Sequence, residues 1–198
     1  MKKAYVLLFE GYADWEIGHA LAELKRLGQL EVVTVGFDEK PLSSMGGLQV
    51  KTHQTLGQID FEEVLIFILP GGYMWERGYP EDVMNDLLSQ LDERNIPIAA
   101  ICAATTVLAK AGILKGRKHT SNSMNYIQKT VPGYSDGDNY INKMAVTDQH
   151  IITASGLGSV DFTMEILKKL DVSSSEIRTI WYDAFKHGKY PDDFEHPA

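Results

Sequence analysis

The sequence predicts an α/β fold, a doubly wound and mostly parallel sheet with helices on both faces. Three observations carry that prediction. Residues 5–9 (YVLLF), 64–69 (VLIFIL) and 96–101 are short apolar runs, the pattern of parallel strands covered on both faces. Stretches with apolar residues at helical spacing separate them. The alternation repeats along all 198 residues without a low-complexity segment or a convincing internal repeat, as expected of successive βαβ units in one sheet.

The elements follow in order. After strand 5–9, Asp14 can cap a helix along which Ile17, Leu21, Leu24 and Leu27 recur, and Gly28 ends it. Residues 31–36 (EVVTVG) form a second strand. Residues 41–52, with Gly46-Gly47 in the middle, read as a small hairpin or irregular extension. Beyond strand 64–69, Pro80 opens a helix to about Arg94, with Val83, Leu87, Leu88 and Leu91 on its apolar face.

Strand 96–101 leads through Cys102 into a helix over 103–111. Next come a short strand near Lys118, His119 and Thr120, an ambiguous helical segment over 122–130, a strand pair around 143–147 and 150–154, and a helix over 160–170. Ser173 followed three residues later by Glu176 has the capping-box pattern. Ile177, Ile180, Trp181, Ala184 and Phe185 give that last helix one apolar face before Gly188. Residues 1–198 therefore read as one domain, with 173–188 an appended helix packed on the parent sheet and 189–198 a loosely ordered tail.

Composition narrows the function. A net charge of −8 leaves no excess of lysine and arginine to neutralise phosphates, so neither nucleic acid nor an anionic membrane is an expected partner. The apolar run after Met1-Lys2-Lys3 is too short for an export signal, and residues 64–69 fall far short of the roughly 20 a bilayer span needs. A cytoplasmic location is expected. The single cysteine excludes an intrachain disulfide framework and a zinc site built on paired thiolates. The six histidines show no HxxxH spacing, and the 156–158 turn lacks the GxGxxG arrangement, so no metal or cofactor is expected.

The chemistry concentrates around that cysteine. Cys102 follows an apolar strand, precedes a helix and has Ala100 and Ala104 two positions away on each side. A nucleophile elbow needs such small residues, because its tight strand-to-helix turn leaves no room for larger ones. The helix dipole then favours thiolate. An unpaired cysteine among Ile and Ala is also a common inert core residue. Residues 69–75 (LPGGYMW) end another strand with Gly71-Gly72, whose backbone N–H groups can form an oxyanion hole or merely a turn. Glu16 lies in the first turn of the first helix, as a third group at that sheet edge or as a helix-dipole partner.

The order strand-Glu16, strand-Pro70-Gly71-Gly72, strand-Ala100-Ile101-Cys102-Ala103 resembles the ThiJ/PfpI superfamily, the cysteine branch of the flavodoxin-like, class I glutamine amidotransferase-like fold. Residues 112–122 (GILKGRKHTSN) and 151–167 (IITASGLGSVDFTMEIL) extend the match over about residues 4–171. The resemblance implies that Cys102 is the elbow nucleophile, that Glu16 hydrogen-bonds its sulfur through a protonated carboxyl, and that Gly72 and Ala103 supply backbone donors. It implies proteases or amidases, glyoxalases, deglycases or oxidative-stress proteins, and a homodimer.

This chain departs from the protease-like pattern in carrying Ala103 where a histidine base follows the cysteine, and residues 132–142 contain no histidine either. His119 is left as a possible base or a supporting residue, with His19 weaker. The expected function is a cysteine-dependent hydrolase or amidase-like enzyme acting on a small molecule or peptide amide, with inefficient proteolysis. The alternatives are a sensor or ligand-binding protein using Cys102 and glyoxalase- or deglycase-like action on aldehydes.

Overall fold

Residues 2–191 are described in the computed structural model of the protein. Strands β1 (Lys3–Leu7), β2 (Val32–Gly36), β5 (Gln54–Thr55), β6 (Val64–Leu69), β7 (Ile98–Ile101), β8 (Ala145–Asp148) and β9 (Ile151–Ala154) form one sheet, and β3 (Leu42–Ser43) and β4 (Gln49–Val50) pair as a separate antiparallel hairpin. The order across the sheet is β5-β2-β1-β6-β7-β9-β8, parallel throughout except for β8 on β9. The strands that read as continuous apolar runs lie at its centre. Residues 4–7 of β1, all of β7 and β9, and nearly all of β6 are buried, whereas edge strands β5 and β8 are half-buried.

The helices are α1 (Asp14–Arg26), α2 (Met74–Arg77), α3 (Glu81–Glu93), α4 (Ala104–Lys110), α5 (Met124–Thr130), α6 (Ser159–Lys169) and α7 (Ser175–His187). From β1 the chain turns outward to β2 on one side, and β6 stands on the other. The reversal opens a crevice beyond the carboxyl ends of β1 and β6, where doubly wound sheets bind ligands.

Several sequence expectations need correction in detail. Ala13 rather than Asp14 occupies the α1 N-cap, and Asp14 Oδ2 instead accepts the Ser44 hydroxyl at 2.6 Å, tying the β3–β4 hairpin to the helix. Met84 replaces Val83 on the buried face of α3. Positions 84, 87, 88 and 91 complete the helical period, leaving Val83 48% exposed. The strand expected near His119 is a single bridge to Tyr140.

Ser174, not Ser173, caps α7 by accepting the Ile177 N–H, and Ser173 turns the chain at φ +62°. Helix α7 packs on α6, with the His19 ring of α1 against Phe185 at 4.8 Å. It therefore extends a helical layer instead of covering the sheet. Of its apolar face only Trp181 is buried. Residues 192–198 of the expected tail lie outside the described residues.

Candidate active site

Cys102 is the first residue beyond β7 and sits at φ +60°. A non-glycine side chain pays a steric penalty there, and surrounding bonds must hold it. They do so on both sides: the Cys102 N–H continues the ladder to the Ala154 carbonyl at 2.9 Å, and the Cys102 carbonyl accepts both the N–H and the hydroxyl of Thr105, at 3.2 and 2.6 Å. Thr105 Oγ1 also pairs with Ser121 Oγ at 2.7 Å. The turn into α4 is thus an elbow of the expected shape, with Ala100, Ala103 and Ala104 buried around it.

Glu16, 1% exposed in the first turn of α1, meets the elbow from across the crevice. Its carboxyl hydrogen-bonds the Cys102 thiol, and Oε2 accepts the Gly71 N–H at 2.6 Å. Gly71 permits this closeness: a Cβ there would lie 2.6 Å from Glu16 Oε2 and 2.7 Å from Cys102 Cβ. Trp75 Nε1 donates to the Pro70 carbonyl at 2.8 Å and pins the same loop. At Gly72, φ is +154° and a Cβ would strike the Phe9 ring at 2.6 Å. The glycine pair therefore divides its work, Gly71 serving the carboxyl and Gly72 the packing of the turn. The Ala103 N–H is directed at the Cys102 sulfur.

Two neighbours of the sulfur had no assigned role in the sequence reading. Asn122 Nδ2 donates to Cys102 Sγ at 3.3 Å, while its Oδ1 accepts the Gly156 N–H at 2.9 Å. A Cβ on Gly156 would lie 2.9 Å from Sγ and 3.0 Å from Glu16 Oε1, so this glycine forms the third wall of the pair. The available signal was positional: Gly156 follows β9, whose carboxyl end adjoins that of β7.

His119 does not serve as a base in this arrangement. It is fully buried, its Nδ1 bonds the Arg117 carbonyl at 2.7 Å, and its Nε2 bonds Tyr134 Oη at 2.5 Å, leaving neither ring nitrogen for the sulfur. The other described histidines are engaged elsewhere: His19 with Phe185, His53 with Thr34, His150 with Asp92 and His187 with the Tyr182 ring.

Burial dominates the electrostatics. It pushes the Glu16 carboxyl above the ordinary carboxylate range, against the opposing hydrogen bonds from Cys102 and Gly71. Burial likewise pushes the Cys102 thiol up to about 12, and the charge of Glu16 adds to the rise, while the Asn122 amide and Ala103 N–H work against it. The two acids behave as one coupled pair that resists losing its second proton. A resting thiolate, expected from the helix dipole, is not favoured beside an ionised Glu16.

With this geometry in place, the comparisons are specific. A sequence model of the DJ-1/PfpI family matches residues 2–169. This chain belongs to the DJ-1/PfpI family. It is 35% identical to the uncharacterized protease YoaZ of Bacillus subtilis, over 98% of this chain and 95% of that protein. To the deglycase PfpI of Pyrococcus furiosus it is 27% identical, over 80% and 93%. Among solved structures, the thiJ/pfpI family protein from Bacillus anthracis superposes with a TM-score of 0.87 at 35% identity, covering 95% of this chain and 92% of that one. The DJ-1 superfamily protein Atu0886 from Agrobacterium tumefaciens gives 0.86 at 31%, covering 94% and 100%. The flavodoxin-like α/β fold is therefore shared with the family. Among the described residues, no helix is long and apolar enough to cross a membrane.

Proposed function

We propose that the protein is a cysteine-dependent hydrolase or amidase-like enzyme that acts on a small carbonyl substrate through Cys102, with Glu16 carrying the proton. The supporting observation is the Cys102–Glu16 pair, held together in a buried setting at a positive-φ elbow beside the crevice. In the first step the sulfur adds to the carbonyl carbon. A C–S bond forms, the carbonyl π pair moves onto oxygen, and the pair's proton passes to that oxygen or to the leaving nitrogen. The Ala103 N–H and the Gly72 N–H are the proposed donors to the developing oxyanion.

Efficient peptide hydrolysis is not part of this reading. Expelling an amine from a peptide demands a well-placed acid and base, each typically contributing about 10²–10⁴-fold, and the histidines that could serve are engaged elsewhere. A second reading, capture and release of reactive aldehydes, has a specific support. Hemithioacetal formation needs only one proton transfer, which the Glu16 carboxyl can supply. Relatives named deglycases are consistent with it. We further propose a cytoplasmic homodimer, to be tested by light scattering in solution and by cell fractionation.

The deciding experiment assays purified protein and Cys102→Ser against short amides, esters, peptides and dicarbonyl aldehydes, with mass spectrometry of Cys102 on the same samples. Turnover of amides or esters that vanishes in Cys102→Ser supports the hydrolase. Turnover confined to aldehydes supports the second reading. A thiol modified by electrophiles or peroxide without turnover of any substrate overturns both and leaves a sensor or ligand-binding protein.

A further inference from the structure

Helices α2 and α5 follow directly on the two loops that carry Gly71 and Asn122, both of which touch Cys102. Helix α2 begins just after the Gly71-Gly72 turn, whose first residue approaches Cys102 Cβ. Helix α5 begins two residues after Asn122, which holds the sulfur, and Ser123 caps it by accepting the Tyr126 N–H at 3.0 Å. Tyr126 Oη then reaches back across to α2 and donates to Glu76 Oε1 at 2.6 Å. Two helices far apart in sequence, each starting a few residues after one that touches Cys102, are thus joined by one hydrogen bond. Burial, the Glu76 bond and the charge of Cys102 all raise the Tyr126 pKa, which keeps the proton on the phenol and places the ring within electrostatic reach of the sulfur.

The bond has a second consequence. Glu76 is exposed, and an unrestrained surface glutamate would spread its charge over many rotamers; Tyr126 fixes this carboxylate at one side of the opening. The neighbouring cation on the same helix is engaged by another ring, the Arg77 guanidinium stacking on Tyr73 at 4.9 Å from the centroid. Glu16 supplies a second acid deeper in the site. On α2, then, the carboxylate is the charge that Tyr126 holds in place beside the segment carrying Asn122.

We propose that Glu76, positioned by Tyr126, is a charge selector at the mouth of the Cys102 site, favouring substrates with an ammonium, guanidinium or other cationic group over anionic ones. This deepens the proposed function and rests on Cys102 being the reacting group. The selector acts on approach and orientation, so Glu76 and Tyr126 are positioning residues that take no part in the bond changes.

The test uses two thiol reagents of similar size and identical leaving group, a trimethylammonium-bearing and a sulfonate-bearing alkyl methanethiosulfonate. In each, the Cys102 thiolate attacks the sulfenyl sulfur, an S–S bond to the alkyl group forms, the thiosulfonate S–S bond breaks and methanesulfinate leaves. Both reagents are dosed on the whole protein at low salt, and the modified mass is followed with time. The cationic reagent should react faster, and Glu76→Gln should shrink the cation-to-anion rate ratio by about tenfold, as expected for losing one fixed charge near the reacting group. Added salt should compress the wild-type ratio and leave that of Glu76→Gln nearly unchanged. Tyr126→Phe keeps the ring and frees the carboxylate, so its ratio should fall between the two.

A misfolding artefact would alter both rates together, and circular dichroism with the ratio itself separates that case. If Cys102 reacts readily but the ratio is the same in wild type and Glu76→Gln, the selector is overturned while the Cys102 reading stands. If Cys102 in the folded protein reacts with neither reagent, the Cys102 reading falls and carries the selector with it.

Discussion

The two ends of β7 hold similar chemical groups in opposite circumstances. At its amino end the Ile98 N–H bonds the His150 carbonyl, and His150 Nε2 hydrogen-bonds Asp92 Oδ1 at 2.6 Å while Arg117 grips the same carboxylate at 2.8 Å. At its carboxyl end Cys102 and Glu16 lie together among glycines, alanines and one asparagine, with burial raising the pKa of both. An acid beside a histidine is the pair one would seek for catalysis, yet it occurs at the edge away from the crevice, where an arginine completes it. The carboxyl edge has the proposed nucleophile and acid without the histidine. A pair closed by its own counter-charges stabilises the fold; a pair left with a proton in excess of its comfort in a small-residue pocket is available for chemistry.

The largest effect that can sharpen this contrast is at the sulfur. Cys102→Ser should reduce electrophile modification and any turnover by at least about 10³-fold, because an unassisted hydroxyl stays protonated, with a melting temperature close to that of the parent. Retained turnover in that variant would move the chemistry elsewhere. Next comes Gly71→Ala, whose new methyl would sit 2.6 Å from Glu16 Oε2 and 2.7 Å from Cys102 Cβ. It should cost about 3 kcal/mol in chemical denaturation and at least tenfold in thiol modification. A silent substitution would show that the two groups need not be so close.

Asp92→Ala probes the other end. It strands Arg117 and His150 at partly buried positions and should cost about 2 kcal/mol, while the rate of Cys102 modification in the folded protein stays within about twofold. His119→Phe belongs to the same class, its loss falling on stability through the Arg117 and Tyr134 bonds. A collapse of thiol chemistry in either variant would erase the distinction between the two edges.

The smallest effect is in pH dependence. Folding raises the Glu16 pKa, so the folded state holds this proton more tightly than the unfolded chain. That contribution favours the fold below the unfolded value of roughly 4.3 and is lost as pH rises through the higher folded value, leaving a penalty at neutrality. Glu16→Gln can still accept the Gly71 N–H and carries no such penalty. Its melting temperature relative to wild type should therefore improve between about pH 4 and about pH 7. A difference independent of pH would mean that Glu16 is ionised at no cost.

Much of this arrangement was legible in the chain. The apolar runs declared the central strands because burial on both faces tolerates little else, and the elbow cysteine and Glu16 were visible as residues placed just past strand ends. Asn122 and Gly156 were not, because their meaning depends on β7 and β9 lying side by side, a juxtaposition of segments about fifty residues apart that no local pattern encodes. The α7 cap was displaced by one position because residues 173–175 are three successive serines, and only backbone conformation decides which of them turns the chain. Val83 and Met84 were confused for a related reason: adjacent apolar residues both fit a loosely drawn helical stripe, and the packing partner selects one.

The positive φ at Cys102 reaches beyond catalysis. Asparagine and glycine accept that backbone conformation more readily than cysteine does, and the bonds that fix the turn run from its main chain to Ala154 and Thr105 rather than from its sulfur. The architecture therefore does not depend on the atom that gives it a use. A descendant of this chain could exchange the thiol for an amide, keep the crevice and its walls intact, and persist as a receptor for whatever molecules fit between them.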